Sequence, residues 1–286
     1  MSSAIEVAPG VVLHYERANP TADQTIVLLG GLGMPASTWK IVGLVDRLAA
    51  AGFSVLSFSA RGLAPSSAPE PPYSVADLAA DAEALLDHLG LTDAIAIGYS
   101  MGCYVAQTIL RRRPELIGAL AMVGGLRSSA ISKLVNDMEL GLMDKYGELP
   151  SQVLTFETIM TTLPPRMVQD QPTVSAWRSM LEGVVPDDPA AHQRGMRGQL
   201  EASRAWVDAG EPTDESLAAI AKPVLVIAFE HDAFFPPGTS KQAAELIPGA
   251  RYVQVDGAAH GGLITHPAEV GNHLELFCIE NAARHG

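Results

Sequence analysis

Gly98-Tyr99-Ser100-Met101-Gly102 is the stretch that decides how this chain is read. It lies where an apolar run, Asp93-Ala-Ile-Ala-Ile97, gives way to a helical pattern beginning near Met101. A serine between two glycines at a strand-to-helix junction has the G-x-S-x-G form of a nucleophile elbow. The glycines answer to crowding. The turn is tight enough to strain the serine backbone, and a Cβ on either flank would meet the neighbouring strand or helix. In return the serine hydroxyl projects clear of the sheet, above the N-terminus of the following helix.

Outward from the elbow, short aliphatic runs alternate with longer helical patterns, the signature of a parallel sheet with crossover helices. The expected strands are Val11–Glu16, Thr25–Leu29, Ser54–Ser59, Ala94–Gly98, Gly118–Val123, Val224–Phe229 and Tyr252–Val255. The expected helices are Thr38–Ala51, Val75–Leu89, Met101–Arg113, Thr239–Ile247 and Ala268–Ala282. Ser74 and Asp77 open the second of these as a capping-box-like pair, and Leu78, Ala82, Leu85 and Leu89 give it one apolar face. The alternation breaks between about Arg127 and Ser216, a stretch rich in methionine and tryptophan and punctuated by prolines. It reads as several short helices inserted between two strands. The expected organisation is a core of residues 1–126 and 217–286, with a helical cap at 127–216 over one end of the sheet.

The bulk numbers narrow the function classes. In 286 residues, 48% are hydrophobic and 18% charged, enough for a sizeable core. A net charge of −13 disfavours nucleic acid and anionic membrane surfaces as partners. With only Cys103 and Cys278, neither a disulfide framework nor a cysteine zinc site is indicated. Cys103 reads as a small buried apolar residue rather than a reactive thiol. The segment Met1–Glu6 lacks the basic and apolar regions of a secretory signal. No apolar run reaches the ~20 residues of a membrane span, so the expected setting is the cytoplasm.

A serine hydroxyl is a weak nucleophile near neutral pH and needs a base in reach, with an acid to orient that base. Among eight histidines, His260 stands out in the small-residue loop Gly257-Ala-Ala-His260-Gly261-Gly262, after the last strand. If the strands run parallel, that loop shares the elbow's sheet edge. His266 is the competitor in the same region. His14, His88, His192, His273 and His285 read as surface or core residues, and His231 should point elsewhere. Asp232, closing the strand Val224–Phe229, suits the acid, with Glu230 and then Asp256 as alternatives. One donor for a developing oxyanion is the Met101 amide, directly after the serine; the other is expected from the loop Leu28–Gly33. That loop lacks the G-K-[ST] ending of a phosphate loop.

With serine, acid and histidine in that chain order, the sequence resembles the α/β-hydrolase fold superfamily over nearly its whole length. The resemblance implies an α/β fold with a mostly parallel, eight-stranded sheet flanked by helices, and a leading hairpin. It also implies that Leu32 carries the second oxyanion donor. Two departures stand out. Gly30 occupies the place of a histidine that braces this loop in relatives. After the strand ending at Ser59, a common D-x-R-G-x-G-x-S pattern is reduced here to Arg61, Gly62 and Ser66.

The resemblance implies a serine hydrolase acting on an ester, thioester or lactone. Ser100 would be the nucleophile, His260 the base, Asp232 its partner, and Leu32 and Met101 the oxyanion amides, with no metal or organic cofactor required. The expected partner is a small, largely apolar molecule, met by Gly31, Phe234 and Trp177. Met138, Met143, Phe156 and Met160 join the apolar lining expected of the pocket. The same elbow is similar to those of carbon–carbon bond hydrolases and a cofactor-free lyase group. The arginine those lyases carry shortly after the elbow is absent, Cys103-Tyr104 standing there. A small-molecule receptor on the same fold is the alternative from another class.

Overall fold

The computed structural model describes residues 2–183 and 185–282. Within them, strands β1 (Ser2–Ala8), β2 (Val11–Ala18), β3 (Thr25–Leu29), β4 (Ser54–Phe58), β5 (Ala94–Tyr99), β6 (Ile117–Val123), β7 (Val224–Phe229) and β8 (Arg251–Val255) form one sheet. The sheet is eight-stranded, in the order β1-β2-β4-β3-β5-β6-β7-β8. β2 runs antiparallel to β1 and β4, and the remaining neighbours pair in parallel. The expected mostly parallel sheet is therefore present. β1 completes the leading hairpin; it lies at the sheet edge, where Ile5 and Val7 are only partly buried against the core.

The strand order contains a switch point. From β3 the chain moves outward to β4, then crosses back to lay β5 on the other side of β3. At such a reversal the loops leaving two adjacent strands diverge to opposite faces and leave a crevice at their carboxyl ends. Here those loops are Gly30–Gly33 after β3 and the Ser100 elbow after β5. Sheet topology brings the two glycine motifs together.

Helices cover both faces. α1 (Ser37–Ile41) and α2 (Leu44–Ala50) come first, where a single helix was expected. The break falls at Gly43, whose φ of 75° is left-handed and ends the first helical run. α3 (Val75–His88) begins with a true capping box between Ser74 and Asp77. α4 (Met101–Arg112) follows the elbow. Then come α5 (Ala130–Tyr146), α6 (Ser151–Thr162), α7 (Pro165–Val168), α8 (Gln171–Glu182), α9 (Pro189–Asp208) and α10 (Asp214–Ala218). α11 (Pro237–Glu245), α12 (Gly262–Thr265) and α13 (Pro267–Ala282) complete the chain. α11 opens two residues earlier than expected, with a proline in its first turn.

Period-two alternation in the strands sorts the core into two layers. Val27, Leu56 and Ala96 pack with Leu85 of α3, Tyr104 and Ile109 of α4, and Ala243 of α11. Ile26, Ile95 and Ile97 point the other way, onto Trp39 of α1, Leu48 of α2 and Leu274 of α13. Between β6 and β7, α5 and α9 hold each other through Leu140, Met143, Met196 and Leu200. Among the described residues no helix is long and apolar enough to cross a membrane.

The loop after β4 is fixed by polar contacts that the sequence pattern left standing. Ser66 Oγ donates to the Ser59 carbonyl at 2.7 Å and accepts from the His14 amide at 2.8 Å. Arg61 makes a bidentate pair with Asp81 of α3, both N–O distances being 2.6 Å. Asp81 is only 3% exposed. Burial pushes its carboxyl above the usual carboxylate range, against the opposing pull of the Arg61 guanidinium. Breaking such a pair leaves a buried charge without a partner, at a cost of about 3–5 kcal/mol. Arg61→Leu should lower the stability measured by urea unfolding by about that amount, and adding Asp81→Leu should recover most of it. A loss under about 1 kcal/mol in the single variant would show that the pair does not hold this loop.

Candidate active site

Ser100 stands at the junction of β5 and α4 with φ 53° and ψ −122°, a conformation that side-chain-bearing residues rarely adopt. The crowding expected of the elbow is real. A Cβ on Gly98 would sit 2.7 Å from the Gly102 carbonyl oxygen, and one on Gly102 would sit 2.0 Å from that of Leu29. The strain, of order 1–3 kcal/mol, is held in place by this packing.

His260 Nε2 lies 3.0 Å from Ser100 Oγ, and His260 Nδ1 lies 2.9 Å from Asp232 Oδ2. With Nδ1–H donating to the carboxylate, Nε2 is left as the acceptor facing the serine. Asp232 is 3% exposed, and its other oxygen accepts from the amides of Phe234 and Phe235, each at 2.9 Å. The carboxylate is thus fixed in orientation by three donors. The alternatives are occupied elsewhere. Glu230 accepts from the Gly257 amide at 2.7 Å, Asp256 accepts from Gln254, and His266 lies against Arg166 and Thr265. His231 faces Glu230, and His285 lies outside the described residues.

Aromatic rings enclose the imidazole. Tyr99 and Phe235 stack on it with centroids at 5.5 and 5.6 Å, and Phe234 meets it edge-on at 5.0 Å. Tyr99 also donates its hydroxyl to the His260 carbonyl at 2.6 Å, tying the elbow strand to the histidine loop. That loop has a second tether. The amides of His260 and Gly261 donate to the carbonyls of Thr161 and Thr162, at 3.2 and 3.1 Å. These are the last residues of α6, whose carbonyls otherwise lack partners.

Met101 heads α4, and the first amide of a helix has no intrahelical acceptor. Gly31 packs against Ser100: a Cβ there would lie 3.1 Å from the serine Cβ. Leu32 follows in a turn closed by Met34 N–H donating to the Gly31 carbonyl at 3.1 Å. Gln199 of α9, fully buried, accepts from the Gly33 amide and donates to the Arg61 carbonyl, both at 2.9 Å. It braces this loop from the side, where Gly30 offers no side chain. A glutamine in a long helix carries no local signal of that task, and sequence reading missed it.

A cavity of about 590 Å³ opens above Ser100 and His260. Gly31, Leu32, Met101, Phe234 and Trp177 border it. The methionine and aromatic expectations for the helical segment need correction. Met138, Phe156 and Met160 are exposed, and Met143 is buried between α5 and α9, while Met180 and Met196 face the cavity instead. Helical period alone does not say which face of a short helix meets the sheet. His192, read as a bland residue, also borders the cavity, as do Glu139 and Glu157, which drew no attention in the sequence. Cys103 is fully buried, donates to the Gly98 carbonyl at 3.2 Å, and has its thiol pushed up by burial. Among the described residues no three His, Cys, Asp or Glu side chains group as a metal site.

Residues 26–272 match the model of the alpha/beta hydrolase family. The chain is 28% identical over 263 residues to a Mycobacterium tuberculosis protein named "Putative non-heme bromoperoxidase BpoC", covering 91% of this chain and 95% of that one. It is 29% identical over 272 residues to rhodomycin D methylesterase DnrP of Streptomyces peucetius, covering 87% and 89%. The crystal structure of BpoC superposes with a TM-score of 0.82 at 25% identity, covering 94% of this chain and 96% of that one. With the elbow, the sheet order and this match in agreement, the chain belongs to the alpha/beta hydrolase family.

Proposed function

We propose that the protein is a serine hydrolase that cleaves an ester, thioester or lactone through an acyl-enzyme. The observation that carries this reading is the unbroken relay from Ser100 Oγ through His260 to Asp232, at 3.0 and 2.9 Å. Ser100 Oγ attacks the acyl carbon as His260 Nε2 takes its proton. The carbonyl electron pair moves onto oxygen, where the Leu32 and Met101 amides meet the negative charge. Collapse of this intermediate breaks the bond to the leaving group, which receives the proton from His260. Water then attacks the acyl-enzyme by the same route, releasing the acid and returning the proton to Ser100. Asp232 holds the imidazole tautomer and stabilises the imidazolium formed in each half. The name of the methylesterase relative supports ester chemistry.

In this reading residues 127–216 act as a cap that shapes the cavity, and Trp177, Phe234 and Gly31 contact the bound molecule. The mostly apolar walls suit a small to medium apolar acyl substrate.

A fluorophosphonate should form its adduct at Ser100, located by peptide mass spectrometry. Ser100→Ala and His260→Ala should each lose about 10³-fold or more in turnover of a chromogenic ester while keeping the native circular dichroism. Asp232→Asn should be severe as well, because it disturbs the tautomer. An adduct on another serine, or full turnover by Ser100→Ala, overturns the assignment.

Trp177 lies on α8, away from the relay. Trp177→Ala should enlarge the cavity and raise kcat/KM for a bulky aryl-acyl ester over the acetate by about fivefold or more. That ratio should move further than the labelling rate of Ser100 by a small phosphonate. If labelling falls while the ratio stays, the segment organises the relay and does not select the substrate.

A further inference from the structure

Two carboxyl groups border the cavity that the hydrolytic chemistry does not use. Glu139 comes from α5 and Glu157 from α6. Glu139 is 5% exposed, yet among the described residues its carboxyl has no hydrogen-bond or ion-pair partner. The nearby amide of Asn136 is spent on Ser203 Oγ at 3.1 Å. Glu157 has only the Thr161 hydroxyl, 3.3 Å from its carboxyl, and that hydroxyl also donates to the Glu157 carbonyl at 2.9 Å. No lysine or arginine lies among the cavity residues. A carboxyl that faces cavity space without a protein partner can be met there by water or by a donor on a bound molecule. Here two acids border a cavity whose other walls are apolar or carry hydroxyl, amide and imidazole groups, and no described lysine or arginine lines it.

We propose that Glu139, supported by Glu157, forms a subsite for a protonated amine on the substrate, so that the preferred ester carries an ammonium group. This rests on the hydrolase reading and narrows its substrate class. A primary ammonium offers three donors to two acceptor groups and brings the compensating charge into the cavity. The chain's net charge of −13 favours the approach of a cation in the same sense.

The other ionisable groups facing the cavity are His192 from α9, His260 from the β8 loop, Tyr99 from β5 and Tyr104 from α4. Burial, with a lesser push from Glu157, raises the Glu139 carboxyl to about 8. Burial raises Glu157 as well, against the Thr161 hydroxyl and His260. At neutral pH Glu139 is therefore mostly protonated in the free protein. An arriving ammonium stabilises the ionised form, lowers its pKa and expels the proton to solvent.

Two isosteric pairs test the subsite. One pair is 4-nitrophenyl 6-ammoniohexanoate and 4-nitrophenyl heptanoate, with the charge in the acyl half. The other is 3-ammoniopropyl butanoate and butyl butanoate, with the charge in the alcohol half. In at least one pair the ammonium ester should lead in kcat/KM by about tenfold or more. That ratio should fall at least about fivefold in Glu139→Gln. A ratio at or below one in both pairs, or a ratio unmoved by Glu139→Gln, overturns the proposal.

A second measurement does not need turnover. Hexylammonium and hexan-1-ol are titrated by calorimetry into Ser100→Ala protein near about pH 7. The ammonium should bind more tightly, with an enthalpy that varies with the buffer's heat of ionisation as a proton is released. Equal, weaker or undetected ammonium binding overturns the subsite. If Ser100 fails to label while hexylammonium binds in this way, the hydrolase reading falls and the amine site stands.

Discussion

The geometry around Ser100 depends on one steric constraint, the approach of α4 to the end of β3. Gly102 lies so near the Leu29 carbonyl that a Cβ would come within 2.0 Å of its oxygen. That approach is possible because β3 and β5 are hydrogen-bonded neighbours and because β5 turns into α4 without an intervening loop. It forces Ser100 to φ 53° and raises its side chain above the sheet. It also presses the Gly30–Gly33 loop against the serine. The position of the Gly30–Gly33 loop and the raised Ser100 side chain are thus two results of a single packing event, which is why strain at one residue persists in a well-packed core.

The proposed base is organised by a different principle. His260 sits on a loop without regular structure, and three independent elements hold it. Asp232 fixes its Nδ1 side, Tyr99 captures its carbonyl, and α6 receives its amide. Aromatic rings from Tyr99, Phe234 and Phe235 limit both the rotation of the imidazole and its contact with water. A loop gains from such bracing the precision that a strand or helix has from its own ladder.

Legibility followed locality. The elbow, the strands buried on both faces and the capping box of α3 are short-range features, and they could be read directly. The order of serine, acid and histidine could be read because parallel strands place their carboxyl ends at one edge. β1 escaped direct reading since its alternation is limited to Ile5 and Val7, both only partly buried at the sheet edge, and Gly43 split a helix that its apolar spacing ran through. The helical segment was the least legible part. Its existence showed in broken alternation, but which face of each helix meets the cavity is decided by packing between elements. Met138 and Phe156 therefore turned outward while Glu139, His192 and Gln199 turned in. Polar residues committed to distant partners leave no periodic trace.

The hydrogen bonds from His260 and Gly261 to the end of α6 have a kinetic meaning as well as a static one. They satisfy the helix's last carbonyls and seat the proposed base at once. Displacing α6 would uncap the helix and remove one of the three holds on His260 in the same movement. A molecule that admitted its ligand by lifting α6 would hold its imidazole more loosely while open than when shut. Two backbone amides thus couple the position of α6 to that of His260.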